Sequence, residues 1–102
     1  MEVSMKITKT LNGKKLNVAL EGRMDTNTAP ELEAALKEHM NDIEELNIDM
    51  TELEYLSSAG LRVLLGAQKA MNKKGKMTVA NVNDTIMEIF EVTGFSDILT
   101  IV

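Results

Sequence analysis

The hydrophobic pattern of this chain changes period several times, and the order of the changes leaves few folds open. Met5, Ile7, Lys9 and Leu11 occupy alternate positions, as do Leu16, Val18 and Leu20, the period of a half-buried strand. Asn12-Gly13 lies between the two runs and suits the positive φ angles of a tight turn, so a β-hairpin is predicted. The polar stretch Gly22–Asn27 reads as a loop. Thr28-Ala-Pro-Glu31 then has the spacing of a capping box with proline in the first turn. Leu32, Ala35, Leu36, Met40 and Ile43 follow at helical spacing.

The pattern then repeats. Leu46, Ile48 and Met50 alternate with Asn47 and Asp49, predicting a third strand with one partly wet face. After the acidic segment Thr51–Ser57, read as a loop, Leu61, Leu64, Leu65 and Met71 form a second helical stripe that Gly75 is expected to terminate. Met77 and Val79, with Val82 as a possible extension, make a fourth strand. Asn83 or Asp84 is expected to cap a third helix carrying Ile86, Ile89 and Phe90, which Gly94 ends. Phe95, Ile98, Leu99 and Ile101 suggest a docked tail, as a short helical turn or a last strand. The order β-β-α-β-α-β-α-tail implies an α/β domain. Its mixed sheet has four to five strands, an opening hairpin followed by parallel strands, packed with three to four helices.

A chain of 102 residues with 44% hydrophobic content and one proline should form a single domain over residues 1–102 with one core. A net charge of −5 argues against a nucleic-acid surface and against adsorption to anionic lipid. Lys73, Lys74 and Lys76 flank Gly75 and read as a helix-dipole complement with a C-cap. Cysteine is absent, which excludes disulfides, thiol catalysis and cysteine zinc sites. Neither a signal peptide nor a membrane-length apolar run occurs, so a cytoplasmic protein is expected. Tyr55, Phe90 and Phe95 are the only aromatics, and the eight methionines are expected mainly as core filler.

Ser57 and Ser58 stand where the third strand gives way to the second helix. A serine there can cap the helix, or it can carry a phosphate that the helix N–H groups and dipole help to stabilise. Both roles are open to it. Loops at the carboxyl ends of parallel strands are where such sheets place their sites. Catalysis by the chain itself is not supported. Its only histidine, His39, sits on the flank of the first helix among Glu38 and Met40, and the surroundings of Ser58 lack the nucleophile elbow. Neither a phosphate-binding glycine loop nor a dinucleotide fingerprint occurs. Asp25 and Asp49 could approach each other at a sheet edge and hold a weak cation, but solvation at strand ends is the commoner explanation. No catalytic residue, cofactor or metal is expected.

Gly22-Arg-Met-Asp25, Thr28-Ala-Pro-Glu-Leu32, Asp49, Leu56-Ser-Ser-Ala-Gly-Leu61-Arg-Val-Leu-Leu65 and Thr93-Gly94-Phe95 resemble the STAS domain, and within it the bacterial anti-sigma factor antagonists. The likeness runs over nearly the whole chain. It implies a partner-switching protein that regulates transcription. Unmodified, such a protein binds an ATPase-fold anti-sigma factor that is also a serine kinase, and so frees the sigma factor. Phosphorylation ends the binding, and a PPM-type phosphatase resets the cycle. Matched by position, the phosphoacceptor falls on Ser58, while Ser57 stands where many members have aspartate and offers a second hydroxyl. The implied partner surface comprises Asp25, Thr26, Asn27, Ser57, Ser58, Ala59, Gly60 and Arg62, on a protein expected to be monomeric when free. The alternative within the family is an unphosphorylated interaction module in a signalling or lipid-transport assembly.

Overall fold

A computed structural model describes residues 5–102; residues 1–4 of the expected domain lie outside the described residues. Strands β1 (Met5–Asn12), β2 (Lys15–Met24), β3 (Glu45–Leu56) and β4 (Lys76–Ala80) form one sheet in that spatial order. The pair β1–β2 is antiparallel, and β2–β3 and β3–β4 are parallel. Helices α1 (Ala29–Lys37) and α2 (Ser58–Asn72) make the two crossovers, and α3 (Asp84–Thr93) follows β4. The tail combines both expected forms, a 3₁₀ turn at Phe95–Asp97 and a single parallel bridge from Ile101 to Val79.

The period-2 pattern produces this arrangement because side chains in register meet across the sheet. Leu16, Leu46 and Met77 form one row and Val18, Ile48 and Val79 the next, all buried. Burying each such side chain favours the fold by about 1.5–3 kcal/mol. Leu32 and Leu36 of α1, Leu64 and Met71 of α2, and Ile86 and Phe90 of α3 complete the core. The opposite face of the sheet is polar, with Thr78 donating from its hydroxyl to Asn47 Oδ1 at 2.7 Å. Among the described residues no helix is long and apolar enough to cross a membrane.

Several local expectations are corrected. The hairpin loop is Gly13-Lys14, since Asn12 pairs with Lys15; only Gly13 takes a positive φ there, at 65°. β2 runs through Met24, so the loop expected from Gly22 begins at Asp25. Helix α1 ends at Lys37, and Ile43 reaches the core from the connecting segment. Val82 lies outside β4.

The largest correction concerns Thr51–Leu56, which is strand and not loop. Ala19 pairs with Asp49 but Glu21 with Glu52, and Gly22 pairs with Leu53 but Arg23 with Tyr55. At each step β3 advances one residue more than β2, which is the signature of a β-bulge. The two extra residues turn an inward period of two into Met50, Leu53, Leu56, all three buried. The first bulge is stitched by Asp49 Oδ1, which accepts from the Thr51 hydroxyl at 2.6 Å, the Thr51 N–H at 3.0 Å and the Asn81 amide at 3.0 Å. The Thr51 hydroxyl and then the Asn81 amide hold the Asp49 carboxyl below its usual range.

Candidate functional site

Two chain turns lie side by side at the carboxyl end of the sheet, because β2 and β3 end together. Met24 pairs with Leu56, and the Ser57 N–H donates to the Met24 carbonyl at 2.9 Å. The next residues, Asp25 on one strand and Ser57 on the other, are therefore neighbours in the fold although 32 positions apart in the numbering.

In the β3–α2 turn the two serines take different roles. Ser57 is the N-cap, with extended backbone, and its Oγ accepts from the Gly60 N–H at 3.4 Å. Its carbonyl accepts from the Leu61 N–H at 3.0 Å. Ser58 is the first residue of α2 and is exposed. The cap thus belongs to one hydroxyl and solvent reaches the other. The first turn of α2 contains no acidic residue, so no side chain of that turn offsets the positive end of its dipole. Ala59 is half-buried and Arg62 exposed.

Gly60, expected on the partner surface, is instead buried. A Cβ there would sit 2.6 Å from Leu56 Cδ1 and 2.8 Å from Met24 Sδ. The missing side chain lets the start of α2 descend onto the ends of β2 and β3, which sets the height of Ser58 over the sheet.

The β2–α1 turn is held by Asp25 and Thr28 together. Asp25 Oδ1 accepts from the N–H groups of Asn27 at 2.9 Å and Thr28 at 3.1 Å. In return the Asp25 N–H donates to Thr28 Oγ1 at 2.8 Å, and that hydroxyl donates to the Arg23 carbonyl at 2.9 Å. The expected capping box is absent: Thr28 makes no side-chain cap bond to α1, because its hydroxyl faces back into the turn. Thr26 and Asn27 are left exposed at the tip.

The Thr28 N–H holds the Asp25 carboxyl below its ordinary value of 3.8, outweighing desolvation, and the Asn27 N–H, the Thr28 hydroxyl and the Arg23 charge add to the lowering. A depressed folded pKa contributes stability above the unfolded pKa and loses it as pH falls through the folded one. Wild type should therefore melt above Asp25→Asn at neutral pH, and the gap should close as the pH drops below about 4. Thermal melts of the two proteins from pH 7 to pH 2.5 check this, since other carboxylates cancel in the difference.

Asp25 and Asp49 do not come together. Asp49 pairs with Ala19 on the open face of the sheet, six β2 positions from Asp25, which at strand rise is about 20 Å. Among the described residues no group of three or more metal-ligating side chains is found. Sequence reasoning missed the Arg23 guanidinium stacked 4.3 Å from the Tyr55 ring centroid. That pair stands beside both turns and follows from the second bulge, which places Tyr55 opposite Arg23.

Comparison with known proteins gives a consistent result. A family model described as "Mlab, STAS domain" matches residues 7–101. The chain is 32% identical over 105 residues to the anti-sigma-B factor antagonist of Listeria monocytogenes serovar 1/2a, covering 99% of this chain and 90% of that protein. Its backbone is similar to that of an anti-sigma factor antagonist from Mycobacterium paratuberculosis, with a TM-score of 0.87 and 24% identity over 96% of this chain and 85% of that one. It is also similar to the Bacillus cell fate determinant SpoIIAA in its phosphorylated form, with a TM-score of 0.76 and 14% identity over 95% and 91%. In sequence, strand order and helix placement alike, the chain belongs to the STAS domain family.

Proposed function

We propose that this protein is an anti-sigma factor antagonist that works by reversible binding and not by catalysis. In its unmodified state it docks onto an ATPase-fold anti-sigma factor that is also a serine kinase, and the sigma factor is released. Phosphorylation of Ser58 ends the docking, and a PPM-type phosphatase restores it. The docking surface consists of the Asp25–Asn27 turn, Ser57, Ser58, Ala59 and Arg62, with Gly60 as its packed support.

The observation that carries this reading is the division of labour between the serines. Ser57, half-buried, caps α2 with its hydroxyl, whereas Ser58 is exposed at the first residue of the helix, beside the Asp25–Asn27 turn. A kinase can reach the second hydroxyl without unfolding the helix. Phosphate there gains from the helix N-terminus, so the fold tolerates the modification.

The test is phosphate-affinity electrophoresis of the protein from its own host. A retarded species should be present in wild type and in Ser57→Ala and absent in Ser58→Ala. A band that survives Ser58→Ala and vanishes in Ser57→Ala would move the acceptor by one residue. No modified species in any growth condition would instead support the unphosphorylated module.

A further inference from the structure

We propose that Arg62 is the internal receptor for the phosphate on Ser58, so that modification adds a dianion to the surface and also withdraws a cation from it. This rests on the reading of Ser58 as phosphoacceptor. The two residues lie four apart on α2 and both are exposed, the spacing at which helix side chains meet. Side chains on a helix lean toward its N-terminus, so the Arg62 guanidinium can swing back to the turn that holds Ser58. An anion four residues before a cation is also the more favourable order, because it agrees with the helix dipole. Phosphoserine at neutral pH brings about −1.5 to −2 charges and three acceptor oxygens, to which the guanidinium fork can donate two parallel bonds.

Arg62 is available for this. Among the described residues it enters no ion pair. It lines a groove of about 260 Å³ between α1 and α2 together with Glu33, Lys37, Val63 and Gly66, so its capture changes that wall as well as the Ser58 turn. Ser57 cannot recruit it. Four residues beyond Ser57 stands Leu61, which is buried, and the Ser57 oxygen already accepts from Gly60. The pairing therefore distinguishes the two hydroxyls that the sequence presents together.

The experiment uses the full chain with phosphoserine installed at position 58 during translation, which removes any dependence on a host kinase. Thermal midpoints with and without phosphate are compared for wild type, Arg62→Lys and Arg62→Gln, alongside the Arg62 Nε–H resonance. Phosphate should raise the wild-type midpoint, with about 1–4 °C of the rise due to the Arg62 pair, and shift the Nε–H signal. Arg62→Lys should keep part of the pair's share, and Arg62→Gln should lose that share and retain only the gain from the helix N-terminus. An equal gain in Arg62→Gln with an unmoved Nε–H overturns the proposal, as does an equal Nε–H response to phosphoserine at position 57. Absence of phosphate at Ser58 in the host would defeat the functional reading alone, since the pairing is measured on the installed ester.

Discussion

Gly75→Ala is expected to lower the thermal midpoint by on the order of 15 °C, because the new methyl has nowhere to go. Its Cβ would fall 1.7 Å from the Glu44 carbonyl oxygen and 2.7 Å from the carbonyl carbon. Both are backbone atoms, and neither can swing aside. The Glu44 carbonyl accepts from the Lys76 N–H at 3.1 Å, and the Glu44 N–H donates to the Lys14 carbonyl at 2.8 Å. Lys15, Glu45 and Lys76 then begin the paired rows of β2, β3 and β4. Relieving the collision means opening that end of the sheet. Overpacking of a tight site costs about 1–3 kcal/mol and occasionally more, and a backbone collision belongs at the upper end. At 4–8 °C per kcal/mol for a domain near this size, about 3 kcal/mol gives a fall of roughly 12–24 °C. Gly66→Ala is the matched control. It lies within α2, where nothing stands within 4 Å of the added Cβ, and replacing a mid-helix glycine should raise stability by up to about 1 kcal/mol. Melting curves of the two variants should move in opposite directions. A fall below about 4 °C for Gly75→Ala would mean that Glu44 yields.

The same residue shows what can be read from this sequence and what cannot. Gly75 follows a lysine-rich helix end, which suggested a C-cap. The helix in fact closes at Lys73 in right-handed geometry, and the glycine answers to a backbone 31 positions earlier. Local pattern carries information about neighbours along the chain, so the hairpin, the three helices and the Asn83 cap were legible. Asn83 does accept from the Ile86 N–H at 2.9 Å. Pattern carries less about neighbours across the sheet. Met50, Leu53 and Leu56 are spaced by three and do not alternate, so this part of β3 read as a turn. Only the register against β2 reveals the two bulges that keep all three side chains inward. Thr28 had the spacing of a capping box, but the end of β2 five residues earlier presents the Arg23 carbonyl, and the hydroxyl donates there. At the candidate site, the placement of Ser58 at the start of α2 and of Asp25–Asn27 in a turn was legible from local residues. The burial of Gly60 and the Arg23–Tyr55 stack were not, since each depends on how two strand ends align.

Phosphorylation of Ser58 should weaken binding to the cognate anti-sigma factor kinase by roughly 150-fold or more, with the fold of the antagonist unchanged. A penalty of about 3 kcal/mol suffices for that factor, and an ester on an exposed residue of the contact surface can supply it without a conformational change. Ser58 is exposed at the start of α2, so in the free protein the ester remains solvated and gains from the helix N-terminus. At a packed interface the same dianion must lose its water or face carboxylates, and a buried charge without a full complement of partners is costly. Ser58→Ala should bind within about threefold of wild type, because removing this hydroxyl leaves the Ser57 cap intact. Ser58→Asp brings one charge where the ester brings nearly two, so its loss should be smaller, about tenfold. Ser57→Ala should act on stability instead, costing about 1 kcal/mol through the lost cap. Calorimetric titration of the four proteins and the phosphoprotein against the purified kinase checks the order. Repeating it at about 1 M salt separates the two sources of the penalty, since a Debye length of about 3 Å screens repulsion between exposed charges and leaves desolvation in place. A penalty that survives high salt belongs to an ester buried at the interface, and one that disappears belongs to acidic side chains facing it across water.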